Sequence, residues 1–296
     1  MLLLLSIWRH GRILTSSQVQ IQTRYNTHRT KRNAQQREKL LSPDFPGVTI
    51  DEILAKLEDN NEPGFQDWRN CLVFWARPTE AVRGLIAEVQ EKLRAVVPNL
   101  WIMPPQSLHM TALEVTHSLT AQEIDALVDQ MQPHISEIAD YTYSHRARLV
   151  KPTVSYDAQA LALSFLPAAA EGGQTGHDDT YTYHHLRRDL FTNVSATGVK
   201  VASRYVIPSA HLTIGRFIKK GDFETSDGLV DHSKVAALIK TIEDINEWLQ
   251  QEYWPSESGI KEGGEWIVGQ EKGLDCRKGT LWYGSGGETI HAGRGF

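Results

Sequence analysis

Residues 107–115, SLHMTALEV, and residues 209–217, SAHLTIGRF, decide the reading of this chain, because they are two copies of one S-x-H-x-T pattern in strand-like settings. Side chains alternate faces along a strand, so residues two apart point the same way. His109 and Thr111 therefore share a face with Met110 behind them, and His211 and Thr213 share a face with Leu212 behind them. Each copy presents one imidazole and one hydroxyl together. A single H-x-T is weak evidence, since a lone His beside apolar residues is more often structural. Two copies with common flanks favour a paired catalytic role.

Outward from these motifs, strand and helix signals alternate. Cys71 to Ala76 (CLVFWA) is an apolar run of strand length. After Pro78, the residues Val82, Leu85, Ile86, Val89, Leu93 and Val96 recur with helical spacing. A helix is expected over Ala121 to Gln132, two strands over Arg148 to Val154 and Gln159 to Phe165, and helices over Tyr181 to Val194 and Ser233 to Gln250. A closing hairpin is expected with arms at Glu265 to Gln270 and Thr280 to Tyr283. Uninterrupted Val/Ile runs of a fully buried parallel sheet are missing. The expected class is therefore α+β, with two lobes of mainly antiparallel sheet and flanking helices, related by a pseudo-twofold, around one groove. The expected organisation is a basic extension over 1–40, a turn-rich lead-in over 41–70, a two-lobed domain over 71–284 and a flexible tail over 285–296.

The composition, 41% hydrophobic and 23% charged over 296 residues, excludes disorder as a whole-chain reading. Charge is unevenly spread. Seven of the 31 basic side chains fall within residues 1–37, which hold no Asp or Glu, so the remainder sets 24 basic against 36 acidic residues. A body of net charge −12 has no general attraction for long nucleic acid. Extended DNA binding is not expected, and an anionic substrate must be met by a local site. The basic start matches a mitochondrial presequence, a mobile arm or a mispredicted start, and residues 24–41 read as an exposed basic helix. Cys71 and Cys276 form no CxxC pair and are expected to be structural thiols in a reducing compartment.

Two imidazoles and two hydroxyls in one groove suit metal-free attack on a phosphodiester. One neutral His takes a proton from the nucleophile and the other, protonated, gives one to the leaving oxygen, while the Thr hydroxyls hold the non-bridging oxygens. Two H-x-[ST] strands about a hundred residues apart resemble the two-histidine phosphoesterase superfamily, which includes RNA ligase-like proteins and cyclic nucleotide phosphodiesterases. HLTIGRF resembles the second family strand. LVFWARP, residues 72–78, resembles the first strand of the plant cyclic phosphodiesterases. The resemblance implies that His109, Thr111, His211 and Thr213 are catalytic, that Trp75 and Arg216 contact substrate, and that no metal or other cofactor is needed. It implies hydrolysis of 2′,3′-cyclic phosphates of nucleotides or RNA ends; a monomer away from membranes is expected, in the cytoplasm or nucleus, or in mitochondria if the basic start is a targeting segment. A non-catalytic nucleotide-binding or RNA-end-binding module, and RNA end-joining through the same groove, stand as the alternatives. His184 and His185 with His177, Asp178 and Asp179 invite a metal site, but adjacent helical residues diverge by about 100°, which favours a solvated loop and helix start.

Overall fold

The computed structural model describes residues 17–58, 64–171, 179–202 and 207–296. Two antiparallel sheets organise them. The first has the order β3 (Met110–Leu119), β1 (Asn70–Ala76), β8 (Asp275–Gly279), β9 (Glu288–Ala292). The second has the order β2 (Trp101–Ile102), β6 (Ala210–Arg216), β5 (Ala160–Pro167), β4 (Arg148–Tyr156), β7 (Glu265–Ile267). Every pairing within them is antiparallel. The helices are α1 (Gln18–Leu40), α2 (Glu52–Glu58), α3 (Glu80–Arg94), α4 (Ala121–Met131), α5 (Ile135–Ala139), α6 (Tyr183–Ala196) and α7 (His232–Tyr253). This is the α+β arrangement that the pattern of strand and helix signals predicts.

Local chemistry explains the elements. Thr79 caps α3 by accepting from the Val82 N–H, and Val82, Leu85, Ile86, Val89 and Leu93 are all buried. That apolar stripe is the face the sequence spacing foretells, and each such side chain contributes roughly 1.5–3 kcal/mol when fully buried. A capping box of Thr120 and Glu123 opens α4. Along β1, Leu72, Phe74 and Ala76 enter the main core, whereas Cys71, Val73 and Trp75 pack with Leu281 in a second, smaller cluster. Both thiols are buried and unbridged, and burial pushes Cys71 up to about 11 and Cys276 up to about 12.

Three expectations need correction. Glu265–Ile267 pairs with β4 in the second sheet, and residues 280–283 form no strand. The hairpin that closes the chain joins β8 to β9, so the segment expected as a flexible tail supplies a sheet strand and then docks, with Phe296 N–H donating to the Gln270 carbonyl. Closure there requires glycine. Gly279 and Gly287 both have positive φ, and a Cβ on Gly279 would come within 2.5 Å of the Gly287 Cα. The basic helix is not an exposed arm either. Ile21, Tyr25, Arg29 and Leu40 of α1 are buried, and α1 packs across β4 and β5.

His177 and Asp178 lie outside the described residues. Asp179 is buried in a bidentate ion pair with Arg148, at 3.0 and 2.6 Å, and Arg148 also reaches Glu265 at 2.7 Å. The Arg148 and Asp179 side chains are 3% and 4% exposed, so this pair locks β4, β7 and the start of α6 together from inside.

Candidate active site

A cavity of about 740 Å³ lies where the two sheets meet, walled by β3, β5, β6, the segment before β6, Arg187 of α6 and, on another side, α1. Thr111 enters it from the first sheet, and His211 and Thr213 enter it from the second. Alternation along β6 places them there: Ala210, Leu212 and Ile214 are buried, while His211 and Thr213 face the opening. Across the ladder, His211 pairs with Ser164 and Thr213 with Ala162, two small residues that leave room above them.

His109 sits one residue before β3, because Pro104 and Pro105 start a short 3-10 turn over 105–107 that shortens the expected strand. It lies beside Thr111 rather than among the side chains that line the cavity. Its ring stacks on Trp75, with centroids 3.8 Å apart and planes 18° from parallel. Its Nδ1 lies 2.7 Å from the Ser107 carbonyl oxygen. A carbonyl can only accept, so Nδ1 carries the proton and the neutral ring offers Nε2 as the basic nitrogen. Burial pushes this imidazole down to about 3, and the Arg77, His211 and Arg277 charges add to the effect against the Ser107 bond.

His211 is held in a parallel way by a different atom. Its Nδ1 is 2.9 Å from the Ser209 hydroxyl, which can donate or accept. Burial by the surrounding protein pushes this imidazole down to about 4, with the Arg187, Arg32 and Arg216 cations contributing. The ring nevertheless faces the cavity and is solvent-accessible, and water reaching it moderates the depression. Both shifts favour the neutral imidazole at pH 7.

The serine two residues before each His is thus the orienting position, and it was visible in the sequence as the first letter of each S-x-H-x-T. The two serines act through different atoms, which separates their effects. Ser209→Ala removes a hydroxyl bond worth about 0.5–1.5 kcal/mol and is expected to lower kcat about 3- to 10-fold, with KM little changed. Ser107→Ala keeps the carbonyl and is expected to leave kcat within about twofold; equal losses in steady-state kinetics would show that the Ser209 hydroxyl does not orient His211.

Trp75 and Arg216 are placed differently from the four motif residues. Trp75 is 1% exposed, stacked on His109 and covered by the Arg77 and Arg277 guanidiniums at 4.8 and 5.0 Å. It supports an imidazole instead of lining the cavity. Arg216 is turned by a bulge: the register passes from Ala162↔Thr213 to Leu161↔Gly215 and Ala160↔Arg216, so Arg216 regains the Thr213 face. There it is engaged at 3.1 Å by Asp51, which also accepts from the Tyr283 hydroxyl at 2.7 Å, away from the cavity lining. His184 and His185 have rings 6.4 Å apart and nearly perpendicular, as their helical phase dictates. Sequence reasoning missed the cavity residues of α1, namely Tyr25, His28, Arg29 and Arg32; their i, i+3, i+4, i+7 spacing was the available signal.

The sequence matches no protein-family model and no curated protein. Among solved structures it is similar to TT0787 of Thermus thermophilus, with 15% identity, a TM-score of 0.40 and coverage of 76% of this chain and 97% of that one. It is also similar to Kluyveromyces marxianus Usb1 with uridine monophosphate, with 12% identity, a TM-score of 0.39 and coverage of 75% and 97%. At that level of similarity the site's own residues have to carry any functional reading. Among the described residues, no helix is long and apolar enough to cross a membrane.

Proposed function

We propose that this chain is a metal-independent phosphodiesterase of the two-histidine type, hydrolysing 2′,3′-cyclic phosphates of nucleotides or RNA ends. The observation that supports it is that Thr111 from one S-x-H-x-T motif and His211 and Thr213 from the other line one arginine-bearing cavity, with His109 beside Thr111 and each imidazole held at Nδ1 from its own serine. In this reading His109 Nε2 takes a proton from water, the water oxygen bonds to phosphorus, and the bond from phosphorus to one ribose oxygen breaks. His211 gives that oxygen its proton, and Thr111 and Thr213 donate to the non-bridging oxygens. His109 takes the base role because the Ser107 carbonyl holds its proton on Nδ1 and leaves Nε2 free to accept one.

The acid must be protonated before it acts, whereas burial and the nearby Arg187, Arg32 and Arg216 cations favour its neutral form. A bound phosphate supplies the missing negative charge and raises the His211 pKa toward neutrality. Binding a nucleoside 3′-monophosphate at pH 6 is therefore expected to take up protons, and affinity is expected to rise as pH falls. Calorimetry in buffers of different ionisation enthalpy measures this. Uptake that is the same in His211→Ala would remove His211 as the group that becomes charged.

The reading is tested by offering 2′,3′-cyclic nucleotides to the wild type, His109→Ala and His211→Ala, with and without chelator. Activity that survives chelation and is lost in both variants is expected. Activity abolished by chelator alone, or retained in both variants, would sink the mechanism.

A further inference from the structure

We propose that α1 builds an anion subsite beside the His/Thr pair, so that the preferred substrate is an RNA terminus with a second phosphate rather than a mononucleotide. The subsite rests on the cyclic-phosphate reading for what occupies the first position, but its evidence is separate.

The cavity, at about 740 Å³, lies in the upper part of the ~300–1,000 Å³ range of single-ligand pockets. Its α1 wall presents Tyr25, His28, Arg29 and Arg32 on one helical face. Arg29 is the unusual member. It is 7% exposed, and its guanidinium donates to the Lys151 carbonyl at 2.7 Å, the Ser164 carbonyl at 3.3 Å and the Asn26 side-chain oxygen at 3.3 Å. All three acceptors are neutral, and burial pulls the group down to about 9. A buried cation whose partners among the described residues are these neutral acceptors and the Trp254 ring at 5.7 Å keeps its positive potential, and an anion brought near it is stabilised more strongly than in water.

Its position relative to the first site is set by the sheet. Ser164, whose carbonyl accepts from Arg29, is the direct cross-strand partner of His211, and Lys151 on the next strand supplies the other carbonyl, so Arg29 is anchored over β4 and β5 beside the strand that carries His211. A phosphate next to the one at His211 is the group this placement can meet. Arg32 stands at the rim, paired with Asp157 at 2.8 Å, with its side chain half exposed, so a phosphate can compete for it. Two carboxylates line the cavity against these cations. Burial raises the Glu114 pKa against the opposing charge of His117, and Asp157 is held by Arg32 and the backbone N–H groups of Gln159 and Ala160. In a body whose net charge is negative, the cavity gathers Arg29, Arg32 and Arg187.

The experiment compares a dinucleotide ending in a 2′,3′-cyclic phosphate with the cyclic mononucleotide, in turnover, and the matching 3′-phosphates in binding. For wild type, kcat/KM is expected to favour the dinucleotide about 10-fold or more. The binding slope of log K against log salt is expected to be steeper by about 0.7, the value of one added phosphate contact. Arg32→Gln, an exposed change that spares the fold, is expected to reduce both differences. Arg29→Met is expected to bring the turnover ratio near one, and Arg29→Lys to restore part of it. A wild-type ratio near one, or a preference that survives both charge-removing variants, overturns the subsite. Salt-dependent dinucleotide preference in binding with no turnover of either substrate overturns the hydrolytic reading and leaves the subsite standing.

Discussion

His109→Ala and His211→Ala are each expected to lower kcat on a cyclic phosphate by about 10²- to 10⁴-fold, the usual contribution of one positioned general acid or base. The double variant is expected to be little worse than the poorer single variant, because the two act on one proton inventory and losing either disables both. Thr111 and Thr213 stay in place in these variants, so KM is expected to change far less than kcat. Thr213→Val is the graded control: it keeps the shape of β6 and removes one donor to a phosphate oxygen, and a smaller loss of roughly 0.5–1.5 kcal/mol is expected. Additive losses in the double variant would show that the two imidazoles do not work on the same phosphate.

The largest stability effect is expected at Arg148→Met. That change leaves the Asp179 carboxylate buried without its bidentate partner and deprives Glu265 of the same cation. Breaking a buried pair from one side typically costs about 3–5 kcal/mol, because the remaining charge stays out of water. For a chain of this size the melting temperature is expected to drop on the order of 10 °C in calorimetry. Asp179→Asn is expected to cost less, since the amide oxygen still accepts from Arg148. Replacing both partners with apolar residues of similar volume is expected to recover much of the loss, which distinguishes an uncompensated charge from simple loss of packing.

Much of the fold was legible because period and length agree along the chain. The 82–93 stripe became the buried face of α3, and the alternation in 210–216 became the alternating burial of β6. The catalytic candidates were legible from the repeated motif, and Thr111, His211 and Thr213 do enter one cavity. What could not be read depends on long-range contacts. Nothing local in residues 265–267 says that they pair with β4 instead of forming a terminal hairpin, and ETIHA is too short and too closely preceded by glycines to announce β9. Arg216 followed from the resemblance alone; a bulge does return it to the Thr213 face, but its pairing with Asp51 keeps it away from the cavity lining. The α1 residues were hidden by their charge: a helix rich in Arg and Gln looks solvated, yet Tyr25 and Arg29 are buried by strands more than a hundred residues away.

The position of β1 between β3 and β8 has a consequence for how the chain is made. β1 spans residues 70–76, but its neighbour β8 spans 275–279, and the other neighbour of β8 is β9 at 288–292. The centre of the first sheet therefore stays an open edge until about 200 further residues have been made, and α1 waits for β5 and β4 to give Tyr25 and Ile21 their cover. At about 5–20 residues per second, an apolar strand and a half-apolar helix remain uncovered for several seconds or more. Exposed edges of this kind are templates for mispairing. Removing residues 273–296 would leave β1 without its β8 neighbour for good.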